Sequence, residues 1–211
     1  MRVLFYGDSI TDAGRDRETD YQEASYGYGY VKYIVEELKA GNPDYDFINR
    51  GISGNRIVDL YARIKVDCWN LQPDVLSILI GVNDVWHEIG AKNGVELDRF
   101  EKMYRILIED TKTKLPNVKM LLCEPFVLEG SATDGEERWG KFLAVYAYAA
   151  VVKKLAKEYG LAFLPLQETL SKAAEQDGAA YYLGDGVHPA EAGAKLIATE
   201  WLKLFKEEIE K

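Results

Sequence analysis

The run Val75-Leu76-Ser77-Ile78-Leu79-Ile80 constrains this chain more than any other stretch. It is short and almost wholly apolar. A strand with one face in water alternates apolar and polar residues, whereas a strand covered on both faces does not. The run therefore reads as a central strand of a parallel sheet. Other short strand candidates are Arg2–Tyr6, Asp46–Asn49, Val118–Cys123 and Ala162–Pro165. Helical patterns lie between them at Tyr28–Ala40, Arg56–Cys68, Leu97–Lys114, Lys141–Tyr159 and Ala190–Ile209. In YVKYIVEELKAGNP the apolar residues Val31, Ile34, Val35 and Leu38 follow a helical period, and Gly41 and Pro43 stop it. Strands alternating with helices predict an α/β fold with a parallel sheet wound on both faces. No repeat, low-complexity tract or linker interrupts the pattern, so the 211 residues read as one domain, 1–211.

In such sheets ligands sit beyond the carboxyl ends of the strands. The residues after each strand are therefore the ones that matter. Gly7-Asp8-Ser9 follows the first strand, and Asn49-Arg50-Gly51-Ile52-Ser53-Gly54 the second. Gly81-Val82-Asn83-Asp84 follows the third, and Glu124-Pro125-Phe126 the fourth. Asp185-Gly186-Val187-His188-Pro189 precedes the last helix. Each block has a purely structural alternative. Ser9 can be a helix N-cap, Gly51 and Gly54 turn glycines, and Asn83 the cap of a helix after strand three. Four of the five blocks nevertheless carry groups useful for acyl transfer, and all should share one rim.

Ser9 in GDSIT, Gly54 in NRGISG, Asn83 in GVND, and Asp185 with His188 in DGVHP resemble the SGNH, or GDSL-type, hydrolase family. The matching blocks run in the family's order from Ser9 to His188. The resemblance implies a three-layer α/β/α sandwich around a mostly five-stranded parallel, flavodoxin-like sheet. It also implies a catalytic triad of Ser9, His188 and Asp185. Its oxyanion donors would be the N–H of Ser9, the N–H of Gly54 and the side-chain amide of Asn83. The residue types suit that chemistry. A serine hydroxyl needs a base to take its proton, and an imidazole titrating near neutrality suits the task. A carboxylate on the other ring nitrogen fixes the tautomer. A glycine lets backbone approach a ligand closely.

The base is less simple. The chain has two histidines, and each follows an aspartate by three residues: Asp84 before His87, and Asp185 before His188. Spacing leaves both pairs open. Gly186 eases a turn that folds the Asp185 carboxylate back onto its imidazole, and Asp84 would have to serve a base while its neighbour Asn83 serves the oxyanion. The family resemblance decides for His188, since the family's Asp-x-x-His lies near the C-terminus. His87 then reads as a rim histidine at the pocket mouth. Asp8, Trp86, His87 and Trp139 are candidate substrate-binding residues. Both tryptophans fall in or near predicted rim loops, where an indole face can stack on a sugar ring. Asp8 also reads as a hydrogen-bond partner of neighbouring backbone. Asp12 and Arg15 could pair or line the cleft, and Glu124 lies near the rim without a required role. Tyr21, Tyr26, Tyr28 and Tyr30 read as packing or interface residues.

Composition narrows the partners. Lys and Arg total 26 against 35 Asp and Glu, for a formal net charge of -9, which opposes a nucleic-acid or anionic membrane partner. No apolar window reaches transmembrane length and the first strand is too short for a signal peptide, so the expected location is cytoplasmic. Cys68 and Cys123 show no metal spacing and read as core residues, and no phosphate-binding glycine fingerprint follows a strand. No metal and no cofactor are expected. The stretches GDSITDAGR, YGYGYV, GVNDVW and EPFVL are similar to a family subgroup that removes acetyl groups from carbohydrates, including acetylxylan esterases. The expected activity is a serine esterase acting on short acetyl esters, with an acetylated oligosaccharide as small-molecule partner. A lysophospholipase or thioesterase of the same family is the alternative, and a non-catalytic carbohydrate binder a third. Homo-oligomers could form through the segment near Tyr26 and the loop around Trp139.

Overall fold

The computed structural model describes residues 1–210. Five strands form one sheet: β1 (Arg2–Gly7), β2 (Asp46–Gly51), β3 (Val75–Leu79), β4 (Lys119–Cys123) and β5 (Ala162–Leu164). All pairings are parallel, in the order β2-β1-β3-β4-β5. The whole of β3 is buried, as its almost wholly apolar pattern requires. Its one polar side chain, Ser77, takes a 2.9 Å hydrogen bond from the indole N–H of the fully buried Trp201. The α/β sandwich with five parallel strands is thus as expected.

The helices are α1 (Ser9–Asp12), α2 (Tyr30–Gly41), α3 (Ile57–Asp67), α4 (Val82–Ala91), α5 (Leu97–Lys114), α6 (Glu136–Phe142), α7 (Val145–Tyr159), α8 (Gln167–Asp177), α9 (Ala179–Tyr182) and α10 (Glu191–Leu204). Helices α2 and α10 pack together, and α5 packs against both α3 and α7. Among the described residues no helix is long and apolar enough to cross a membrane.

Three expectations need correction. The stretch 141–159 is not one helix. It breaks at Leu143 and Ala144, where Ala144 N–H bonds back only to Lys141 and Tyr146 N–H only to Leu143. The break lets α6 lean on α4 while α7 packs on β4, β5 and α5. The last helix stops at Leu204 and continues as a wider turn over Phe205–Ile209. Trp86 and Trp139 stand on α4 and α6 rather than in loops. Helix α4 does carry a helical apolar period, at Val82, Val85, Trp86 and Ile89. Helix α8 buries only Gln167 and Leu170, too little apolar spacing to mark it in the sequence.

The strand order reverses between β1 and β3, and such a switch point opens a crevice at the carboxyl edge. The register aligns Gly7 with Gly51 and Leu79, and Leu79 with Cys123. The loops leaving β1, β2 and β3 therefore emerge side by side. Both cysteines are free and buried, and burial pushes each thiol up to about 12, so they behave as core residues.

Candidate active site

The crevice at this switch point is a cleft of about 400 Å³. Ser9, Gly54, Asn83, Trp86, His87 and His188 are among its lining residues. Ser9 opens α1 directly after β1, where the first helical N–H groups have no carbonyl one turn back. Asp8 serves as N-cap, its Oδ1 accepting from Ile10 N–H at 2.9 Å. Neither the Ser9 nor the Gly54 N–H has a backbone acceptor among the described residues.

Ser9 Oγ lies 2.9 Å from His188 Nε2, and His188 Nδ1 lies 2.7 Å from Asp185 Oδ2. The other oxygen, Oδ1, accepts the N–H groups of Val187 at 2.9 Å and His188 at 2.7 Å. Burial works to raise the Asp185 carboxyl, but the bonds from His188 and Val187 outweigh it and hold the group below its ordinary value. An ionised carboxylate makes Nδ1–H the donor and leaves Nε2 as acceptor for the serine proton. Gly186 has φ +95°, and a Cβ there would stand 2.5 Å from the carbonyl oxygen of Leu128. The turn that brings Asp185 onto His188 therefore requires glycine.

The oxyanion candidates converge from two other loops. Asn55 N–H bonds the carbonyl of Ile52 at 3.2 Å, closing a turn with Gly54 at φ +82°. That angle favours glycine and turns its backbone into the cleft. Asn83 Nδ2 donates to the Asn55 carbonyl at 3.1 Å. A primary amide has a second proton, and the Asn83 amide keeps it for another acceptor. The turn is held from the nucleophile side by Asp12, whose Oδ2 accepts from Ser53 N–H at 3.0 Å and Ser53 Oγ–H at 3.1 Å. Asp12 pairs with Arg17 rather than Arg15, and Arg15 donates to the Gly51 carbonyl at 2.9 Å.

The two aspartate–histidine pairs differ completely. Asp84 is fully buried and makes no hydrogen bond to His87. Its carboxyl oxygens accept the N–H of Ile57, the first residue of α3, at 3.1 and 3.3 Å. Burial raises that carboxyl well above its ordinary value, and the nearby Asp8 adds to the effect. His87 lines the cleft beside Gly54, its Nε2 3.9 Å from where a Cβ on that glycine would lie. Burial and the Arg56 guanidinium lower its pKa, which favours the neutral ring.

Of the other substrate-binding candidates, Trp86 lines the cleft, with ring centroids 5.8 Å from His188 and 5.6 Å from Phe142. Trp139 is not among the lining residues and packs, half-buried, against the core. Asp8 does not reach the cleft either. It is 1% exposed, and burial pushes its carboxyl up to about 7 although Ile10 N–H and His188 oppose the shift. Glu124 caps α8, accepting from Leu166 N–H at 2.8 Å and Gln167 N–H at 2.9 Å. Tyr26 and Tyr30 are core residues, whereas Tyr21 and Tyr28 are exposed. Among the described residues no group of three or more His, Cys, Asp or Glu side chains is placed to hold a metal ion. Asn55, which holds Asn83, has no place in the motif reading. No local sequence signal marks it, because its carbonyl meets the Asn83 amide from 28 residues away.

A serine hydrogen-bonded to an imidazole, an imidazole hydrogen-bonded to a carboxylate, and N–H donors beside them form an arrangement that can support acyl transfer. Comparison with known proteins gives the family. Residues 5–196 match the GDSL-like lipase/acylhydrolase family model. The chain is 37% identical over 210 residues to the acetylxylan esterase of Geobacillus stearothermophilus, covering 96% of this chain and 92% of that one. A crystal structure of that esterase superposes with a TM-score of 0.85 at 35% identity, covering 96% of this chain and 93% of the other. A structure described as a GDSL-like lipase from Parabacteroides merdae gives 0.92 at 38% identity, covering 97% and 95%. This chain belongs to the GDSL-like lipase/acylhydrolase family, and it is a carboxylic ester hydrolase.

Proposed function

We propose that this protein is a serine esterase that removes acetyl groups from acetylated oligosaccharides through an acyl-enzyme on Ser9. The observation that carries the reading is the unbroken chain Ser9 Oγ–His188–Asp185, at 2.9 and 2.7 Å. In the forward step Ser9 Oγ attacks the acetyl carbonyl while His188 Nε2 takes the hydroxyl proton. The carbonyl oxygen becomes an oxyanion, met by the N–H groups of Ser9 and Gly54 and the free amide proton of Asn83. Each such donor lowers the barrier by roughly 3–4 kcal/mol. His188 returns the proton to the departing sugar oxygen, leaving acetyl-Ser9. Water, deprotonated by the same imidazole, then releases acetate and restores the hydroxyl.

Two features support the substrate class. Trp86 stands beside His188, the group that protonates the leaving oxygen, so its indole is available to a sugar ring on that side. An acetylxylan esterase is among the relatives, matched over almost its whole length. Structures of that enzyme include catalytic mutants in which a serine and an aspartate are replaced, the residue types of Ser9 and Asp185 here. The test measures acetate released from acetylated xylo-oligosaccharides beside a chain-length series of aryl esters. Acetate should be the preferred acyl group, and Ser9→Ala should lose about 10⁴-fold or more in kcat. Preference for octanoate would overturn the substrate class, and an active Ser9→Ala protein would overturn the mechanism.

A further inference from the structure

We propose that Arg63 is a positioning residue of this site, one that sets the spacing between the nucleophile and its oxyanion donors. The inference rests on the esterase reading above. Arg63 lies on α3, outside the cleft, with its side chain only 16% exposed. Its guanidinium bonds in three directions. Nε–H donates to Asn55 Oδ1 at 2.8 Å, Nη2 to the Gly7 carbonyl at 3.1 Å, and Nη1 to Asp67 Oδ2 at 2.8 Å. The same group lies over the Tyr6 ring, 4.4 Å from its centroid.

The first two contacts belong to the two halves of the site. Gly7 ends β1, two residues before Ser9, and its carbonyl also accepts the N–H of Ile52, the first residue of the oxyanion turn, at 3.1 Å. Asn55 ends that turn, and its carbonyl holds the Asn83 amide at 3.1 Å. One planar, rigid group thus joins the end of the strand that leads into Ser9 to the residue that places both Gly54 and Asn83. Asp12 clamps the turn at Ser53 from the other side, which leaves Gly54 between two fixed points.

Arg63 is itself anchored. Asp67 also lies 3.8 Å from Arg50, and Arg50 makes paired bonds of 2.6 and 2.7 Å to Asp20. A lysine is a point donor on a flexible stem and cannot reproduce the fork. An oxyanion donor displaced by about 1 Å costs on the order of 10²-fold in rate. A tie of this kind should therefore act on kcat and leave substrate affinity nearly untouched.

The test uses the full chain with Arg63→Met, Arg63→Lys, Asn55→Leu and the double variant Arg63→Met/Asn55→Leu. Arg105→Met serves as a control, because that arginine makes several bonds to Glu158, Glu101 and Tyr159 without contacting the site. The readouts are kcat and KM on an aryl acetate, the rate of Ser9 phosphonylation by a fluorophosphonate, and the melting temperature. Arg63→Met and Asn55→Leu should each lower kcat by ~10–100-fold, with KM within about twofold. Phosphonylation should slow by a similar factor. Lysine should restore little, and the double variant should be no worse than Arg63→Met alone, because both substitutions remove the same Arg63–Asn55 bond. Wild-type kcat with only a lower melting temperature in Asn55→Leu and Arg63→Met, or additive losses in the double variant, would overturn the positioning role. If Arg63→Met does not fold, Asn55→Leu decides. Those outcomes with an inactive Ser9→Ala protein leave the esterase reading intact, whereas an active Ser9→Ala protein removes its basis.

Discussion

Replacing Asp185 with asparagine tests the tautomer argument at the heart of the site. Two backbone N–H groups point at Oδ1, from Val187 at 2.9 Å and His188 at 2.7 Å. An asparagine must present its carbonyl there, because its amide nitrogen would meet two donors. The NH₂ group then faces His188 Nδ1, the atom that lies 2.7 Å from Oδ2 in the native protein. Nδ1 becomes an acceptor, and the ring proton moves to Nε2. Nε2, 2.9 Å from Ser9 Oγ, then donates where it must accept. The base is lost without any change of shape. A misplaced tautomer of this kind lowers kcat by about 10⁴-fold, or roughly 5.4 kcal/mol of barrier. The two backbone bonds survive, so KM should stay within about threefold and stability should fall by under about 1–2 kcal/mol. Turnover of an aryl acetate at pH 7.5, read beside a thermal melt, decides the matter. A folded Asp185→Asn protein that keeps more than about a tenth of wild-type kcat would refute the reasoning.

Other perturbations probe the rest of the molecule. His188→Ala should lose about 10⁴-fold or more in kcat while His87→Ala stays within about tenfold of wild type, as steady-state rates of the two variants will show. Asp8 carries its proton up to a pH of about 7 in the folded protein, against an ordinary value near 3.9, so the folded state binds more protons than the unfolded state between those limits. The Asp8 contribution to stability should therefore decline as pH rises from about 4 to about 7, by up to about 4 kcal/mol, and be absent above. Melting temperatures across that range should show a shallower decline for Asp8→Asn, and an identical slope in both proteins would count against it. The Cys68 and Cys123 thiols, raised by burial to about 12, should resist an aromatic disulfide reagent until denaturant is added. Gly54→Ala has room for its methyl, 3.8 Å from His87, but not the backbone angle, so it should cost about 1–2 kcal/mol in stability and lower kcat more than it raises KM.

Much of this was legible in the chain itself. The almost wholly apolar run at 75–80 announces a sheet covered on both faces, and the alternation of strands and helices around it announces parallel strands. Once the strands are parallel, the residues that follow them must share a rim. The structure brings Ser9, Gly54, Asn83 and His188 to one cleft because the register aligns the strand ends. Local rules, a period of 3.6 or 2 and a turn glycine, suffice for that much. They do not suffice where a residue's partner comes from another segment. The split of 141–159 arises because α6 and α7 dock on different partners, a fact no local period contains.

The paired aspartates and histidines mark the boundary between the two kinds of information. Asp84 and His87 have the same spacing as Asp185 and His188, so the sequence determined that two bases were available but could not choose between them by distance along the chain. Tertiary structure gives the two carboxylates different partners. The start of α3 presents the N–H of Ile57 to Asp84, whose carboxyl oxygens both accept it. Asp185 sits in a turn closed by Gly186, where its carboxyl meets the N–H groups and the imidazole of its own loop. The Arg63 tie belongs to the same class, since its partners Gly7 and Asn55 approach only when β1 and the loop after β2 lie side by side. A hydrogen bond is satisfied by whichever donor is near in space. Sequence supplies the groups, and the packing of distant segments assigns their partners.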